Sequence, residues 1–176
     1  MLLDRLFRPR PALGAGRALY ARAVEQSREP GLYADLDAPD TAEGRFEIYS
    51  LHVVLLLDRL RGEGAQAAEV SQALFDTYVS SLDHALREMG VGDLAVGRKM
   101  RKLGEAFYGR SRSYEAAFAA LPDEAPLRAL LTRTVYADAD ATAAPRLVSY
   151  VLAQRAALAG QPAARLLAGE AAWDRA

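Results

Sequence analysis

Only two histidines, His52 and His84, and no cysteine are available among the side chains from which catalytic and metal sites are most often built. Without cysteine there are no disulfides, thiolate nucleophiles, iron-sulfur clusters or sulfur-liganded zinc sites. His52 sits in an apolar run with Ile48, Leu55, Leu56 and Arg59 on its side, whereas His84 falls beside Ser80, Ser81 and Glu88. A dyad would have to be assembled from two separate helices, and a hydrogen-bonded core histidine plus a surface histidine explains both residues more simply. The enzymatic alternative, a small catalyst built on His52, demands that His52→Ala abolish function while leaving stability nearly unchanged.

The carboxylates point the same way. Asp76 with Ser80 and Asp83 with Arg87 lie one helical turn apart, but there is no Glu-x-x-His and no helix with the paired inward carboxylates of a di-metal bundle. A nucleophile elbow, a phosphate-binding loop and a dinucleotide fingerprint are also missing, since Gly90-Val-Gly92 lacks a third glycine and follows a helical pattern rather than a strand. His52, Met89 and Met100 are the conceivable axial ligands for a haem, yet a methionine on an apolar stripe is ordinarily packing. No catalytic residue, no metal and no cofactor are expected.

The chain that must position these residues has 176 residues, 51% of them hydrophobic and 26% charged, with a formal net charge of -1. That is the length of one domain able to bury a full core, and its near-neutrality argues against bulk attraction to nucleic acid, so no specific DNA partner is expected. The first ten residues carry Asp4 and Arg5 and lack the apolar core of a signal peptide. The most apolar run, residues 48–57, is far short of the ~20 residues of a membrane span. A cytoplasmic location is expected.

Apolar spacing is helical almost throughout, which predicts an all-α, single-domain bundle of about six to eight helices over residues 16–176. A segment over 1–15 is expected to be flexible or interfacial, with Leu2, Leu3, Leu6 and Phe7 beside Arg5 and Arg8. Helices are predicted over 16–26, from a cap at Asp40 to about 61, over 67–89 and over 94–108, with a loop through Tyr33 and Pro39 after the first. Asp40-Thr41-Ala42-Glu43 has capping-box spacing, with Asp40 as the cap. Gly90 suits the left-handed residue that ends a helix and Asp93 the cap of the next. Ser113 is expected to cap a short helix to residue 120, Pro122-Asp-Glu to open one to 135, and Thr142 to cap one to 158, with a last Ala-rich helix after Pro162. The segment around residues 137–141 reads as a loop.

The predicted helix from the Asp40 cap to about residue 61 is apolar nearly all round, with Phe46, Tyr49, Val53, Leu57 and Leu60 on one face and Leu51, Val54, Leu55 and Leu56 around the rest. Such a helix is central in a bundle or faces a partner. A second anomaly is electrostatic: Arg98, Lys99, Arg101, Lys102, Arg110 and Arg112 are opposed only by Glu105, a local formal +5 in a nearly neutral chain. Arg98, Arg101 and Lys102 lie opposite Val96, Met100, Leu103 and Phe107. The segment is either an ordinary solvated face or a docking surface for RNA, an anionic membrane or an acidic partner. Tyr108 and Tyr114 lie close by, but no ribonucleoprotein signature accompanies them.

The unbroken run from Leu82-Asp-His-Ala-Leu-Arg-Glu-Met through Gly90-Val-Gly-Asp93 to Phe107-Tyr-Gly-Arg110 closely resembles the central signature of the ubiquinol-cytochrome c chaperone family, whose members assist assembly of respiratory complex III. Tyr33, Pro39-Asp-Thr41, Gly44-Arg-Phe-Glu47 and Leu51-His52 resemble that family's upstream pattern. The resemblance implies a non-enzymatic assembly factor that binds newly made cytochrome b and holds it for incorporation. In mitochondrial relatives a small partner protein and the ribosome's exit region take part. On this reading Phe46, Tyr49, His52 and Leu56 are candidates for the wall of an apolar client groove. Asp93, Arg98, Lys99, Arg101, Lys102, Tyr108 and Arg110 are candidates for contact with the client, the ribosome or an anionic membrane surface, which would place the protein peripherally on the inner membrane. The competing function is an RNA- or ribosome-binding helical module acting through the basic face 98–112.

Overall fold

One helix with apolar residues on every side sets the architecture of this chain. In the computed structural model, which describes residues 11–137 and 142–174, that helix is α3 (Ala42–Leu60), and Ile48, Leu51, Val53, Val54, Leu55, Leu56 and Leu60 are all buried on it. Each fully buried Leu or Val removes enough apolar surface from water to contribute about 2 kcal/mol, so α3 is stable only when enclosed. The enclosing helices are α1 (Pro11–Gln26), α4 (Ala65–Glu88), α5 (Asp93–Ala119) and α7 (Ala144–Ala159), each of which contacts it. Helix α6 (Ala125–Thr134) bridges α5 and α7, α8 (Ala163–Leu167) rests on α1 and α4, and α2 (Pro30–Ala34) is a short connector. The protein is an all-α, single-domain bundle, with eight helices and no strand among the described residues.

The closest helix pair is α1 against α4, and a glycine explains it. A Cβ on Gly16 would stand 2.6 Å from both the Ala73 Cβ and the Leu74 backbone nitrogen, so only glycine lets the two helices meet at this point. Helix α4 ends as its sequence predicts, with Gly90 at φ +78 and the Gly90 N–H donating to the Arg87 carbonyl at 2.9 Å.

Several boundaries differ from expectation. Thr41, not Asp40, caps α3: its hydroxyl accepts from the Gly44 N–H at 3.1 Å, while the Asp40 carboxylate pairs with Arg45. Gly92 holds the cap position of α5, and Asp93 opens the first turn. The break predicted between Tyr108 and Ser113 does not occur. Helix α5 runs 27 residues without interruption, and the Ser113 hydroxyl donates back to the Gly109 carbonyl at 2.9 Å. The reason is packing: Tyr114 and Phe118 continue the buried stripe of Val96 and Phe107, and that burial outweighs the cost of about 1 kcal/mol for an exposed helical glycine. Residues 11–15, expected to be flexible or interfacial, belong to α1, with Ala15 buried; the rest of that segment lies outside the described residues. The expected loop through Tyr33 contains α2, with Pro30 in its first turn. Ala143 rather than Thr142 stands at the cap of α7, and the last helix is only five residues long. Residues 138–141, expected from the sequence to form a loop, also lie outside the described residues.

Candidate functional site

A cleft of about 570 Å³ opens beside the first two turns of α3. Phe46 and Tyr49 project into it from α3, Tyr20 and Val24 from α1, Leu82, Leu86 and Met89 from the end of α4, and Leu103 from α5. Its wall is mainly apolar, and its rim carries Arg28, Glu43 and Arg45. Tyr49 stands between the Tyr20 ring, edge-on at 5.8 Å, and the Tyr78 ring at 5.0 Å. Tyr78 leads inward to Phe107 at 4.7 Å. The aromatic column therefore runs from the cleft into the core and holds its wall rigid. The Tyr49 hydroxyl is buried with no hydrogen-bond partner, and burial pushes its pKa well above the ordinary phenol value.

The sequence placed four α3 residues on the groove wall, and the structure divides them. Phe46 and Tyr49 line the cleft, whereas His52 and Leu56 have no exposed surface because α3 is closed over by its neighbours beyond its second turn. His52 is a core bridge. Its Nδ1 lies 2.8 Å from the Ile48 carbonyl and its Nε2 2.8 Å from the Tyr150 hydroxyl. A carbonyl only accepts, so Nδ1 carries the proton and Nε2 accepts from Tyr150. The Tyr150 oxygen in turn accepts from the Gln26 amide at 2.9 Å. Burial lowers the His52 pKa to about 4, keeping the ring neutral. Trp173 packs edge-on against it at 5.2 Å and donates its indole N–H to the Arg22 carbonyl at 3.1 Å. The buried Gln154 amide grips both backbone groups of Asp174, at 3.0 and 2.9 Å. With both nitrogens engaged inside the core, His52 is in no position to serve as a general base in the cleft. His84 is exposed on α4.

The charged candidates fall into two groups. Arg110 and Glu47 form a two-pronged pair at 2.9 Å for each bond, with the Glu47 carboxylate 11% exposed at the foot of the cleft. The carboxylate raises the Arg110 pKa and secures α5 to α3. Asp93 is paired with Arg87, which also holds Asp83, across the turn between α4 and α5. In contrast, Arg98, Lys99, Arg101 and Lys102 are exposed and have no ion-pair partner among the described residues. Tyr108 is 69% exposed on the same helix. No group of three residues suited to hold a metal ion occurs among the described residues.

Sequence reasoning missed the other side of the cleft. Tyr20, Val24, Leu82, Leu86, Met89 and Leu103 carry ordinary core periodicity, and only Met89, left 67% exposed, stands out once the fold is known. The signal that existed was Gly90, which stops α4 and so leaves Met89 at an open end.

Comparison with known proteins agrees with this architecture. The crystal structure of the Cbp3 homolog from Brucella abortus superimposes with a TM-score of 0.86 at 35% sequence identity, covering 99% of this chain and 97% of that one. Among curated proteins none matches the chain. The profile of the ubiquinol-cytochrome C chaperone family matches residues 34–173, which include α3, α4, α5 and both walls they lend to the cleft. The chain belongs to the ubiquinol-cytochrome C chaperone family.

Proposed function

We propose that this chain binds newly made cytochrome b through the cleft between α1, α3, α4 and α5 and holds it for assembly into respiratory complex III, acting by binding and not by catalysis. Family membership supports the assembly role. The observation that carries the client contact is the open, aromatic-rich wall formed by Phe46, Tyr49, Tyr20 and Met89. A membrane-destined segment presents mainly Leu, Ile and Phe, and an apolar wall with a flexible methionine at its rim accommodates such side chains without demanding one shape. Among the described residues no helix is long and apolar enough to cross a membrane, so the cleft would meet its client from a peripheral position at the bilayer face.

Affinity purification of the tagged chain from respiring cells tests the proposal. Recovery of cytochrome b ahead of the other complex III subunits is expected, together with loss of complex III activity and its b-haem absorbance on deletion of the gene. Recovery of no complex III subunit, with normal difference spectra in the deletion strain, would overturn it.

A further inference from the structure

After α8 the chain continues as a strap over residues 169–174, outside any helix. Gly169 turns it at φ +84, where a Cβ would stand 2.7 Å from the Ala18 Cβ and 3.1 Å from the Ala15 Cα, so the strap starts pressed against α1. Residues 171–174 make no backbone–backbone hydrogen bond among the described residues. Three glutamine side chains hold them instead. Gln161 exchanges two bonds with Ala172, both 2.8 Å, and the fully buried Gln154 exchanges two with Asp174. Gln26 of α1 adds a bond to the Asp174 carbonyl at 3.2 Å, and Trp173 packs its ring on His52.

Among the described residues, the hydrogen bonds that reach α1 from distant parts of the chain all run to this cluster: Gln26 to Tyr150 and Asp174, and the Trp173 indole to the Arg22 carbonyl. The same two turns of α1 carry Tyr20 and Val24 of the cleft wall. At 100° per residue Gln26 stands about 140° around α1 from the midpoint of Tyr20 and Val24. The end of α1 therefore lies between the strap and the cleft.

We propose that the strap is a latch on the cleft: an apolar helical client shifts the second half of α1 outward, and the strap opens as the cleft fills. Of the four walls, this half of α1 is the one free to give. Helix α3 is enclosed beyond its second turn, α5 is tied to it by Arg110 and Glu47, and the end of α4 is tied to α5 through Arg87 and Asp93. The close contact of α1 with α4 at Gly16 lies about 12 Å along the helix from Val24. Leu19 and Ala23 are buried and keep α1 on the core, so the movement is a shift of its end, and the side-chain contacts of the strap break without unfolding any helix. The size of the cleft requires such a shift. One turn of helix occupies about 500 Å³, nearly all of the 570 Å³ present, whereas a membrane-destined segment continues for ~20 residues. The client side of this coupling rests on the chaperone reading.

Trp173 is the only tryptophan of the chain, so its fluorescence reports the latch directly. The probe is a synthetic helical peptide with a core of Leu, Ile and Phe, lysines at both ends and no tryptophan, added to the full-length chain. Saturable binding is expected, with a red shift of the Trp173 emission and several-fold stronger quenching by iodide, all lost in Met89→Glu. Linkage requires the converse. Trp173→Ala, which loosens the strap, should bind a fluorescently labelled form of the peptide about fivefold more tightly and should exchange the amide hydrogens of residues 20–28 about tenfold faster, while those of α3 and α5 keep their wild-type rates. Gln161→Ala, which releases only Ala172 and leaves His52 covered, should move both quantities the same way by less. Peptide binding that leaves the Trp173 emission unchanged, or equal or weaker binding by Trp173→Ala, overturns the latch and leaves the cleft standing. Absence of any peptide binding overturns the cleft reading and the latch with it.

Discussion

Arg110 on α5 and Glu47 on α3 meet in a two-pronged pair, with both bonds 2.9 Å long, at the foot of the cleft. The pair joins the helix that carries the basic face to the helix that carries the cleft wall. Its geometry is good enough to offset the desolvation of a carboxylate that is only 11% exposed.

Removing one partner should cost more than removing both. Arg110→Met leaves Glu47 buried without a countercharge and should destabilise the fold by about 2 kcal/mol, the Arg110 side chain being 30% exposed. The double variant Glu47→Gln, Arg110→Met should recover part of that loss. Urea unfolding of the four proteins of the cycle measures the coupling.

His52 should behave as a core residue. His52→Ala leaves a cavity and strips the Tyr150 hydroxyl of its acceptor, a loss of about 3 kcal/mol. A melting temperature unchanged by the substitution, with function abolished, would instead restore the catalytic reading.

The same histidine gives a pH signature. Burial holds its folded pKa near 4, below the ordinary 6.5, so the unfolded chain binds the proton first. The stabilisation is complete above pH 6.5 and is lost as pH falls towards 4, by about 3 kcal/mol across the window. Between pH 6.5 and 5, mostly above the range of ordinary carboxylates, the stability of the wild type should fall with acidification, and that of His52→Gln should fall less. Parallel slopes would place the titration elsewhere.

Met89→Glu tests the cleft without touching the core. The side chain is 67% exposed, so stability should change by less than about 0.5 kcal/mol. A charge on the rim should still lower recovery of cytochrome b about tenfold, because an apolar client would have to desolvate it. Phe46→Glu should do the same from the opposite wall.

Gly16→Ala should destabilise by about 1–3 kcal/mol through overpacking, although alanine is the better helix former. Its Cβ would stand 2.6 Å from the Leu74 backbone nitrogen, an atom that cannot rotate away. A raised melting temperature would show that α1 and α4 can separate at little cost.

Local chemistry is legible in the order of the residues alone. Helical periodicity set the class, the glycine pairs and prolines set most of the connections, and the apolar circumference of residues 48–60 made α3 central, since such a helix has no stable state but enclosure. The charge anomaly of residues 98–112 was legible because charge needs no fold to be counted. Tertiary structure decided everything that depends on which neighbour arrives. Phe46 and His52 are equally plausible wall residues in one dimension, and only the closing of the helix's neighbours beyond the second turn of α3 separates a cleft residue from a core bridge. Tyr150 and Trp173, 98 and 121 positions beyond His52 in the chain, satisfy that histidine through contacts no local pattern encodes. Thr41 displaced Asp40 as the cap once Arg45 offered the carboxylate a countercharge, and α5 ran through Gly109 because Tyr114 and Phe118 found a core to enter. Local propensities differ by a few tenths of a kcal/mol to about 1, and burial of a single aromatic side chain exceeds that, so where the two disagreed, packing prevailed.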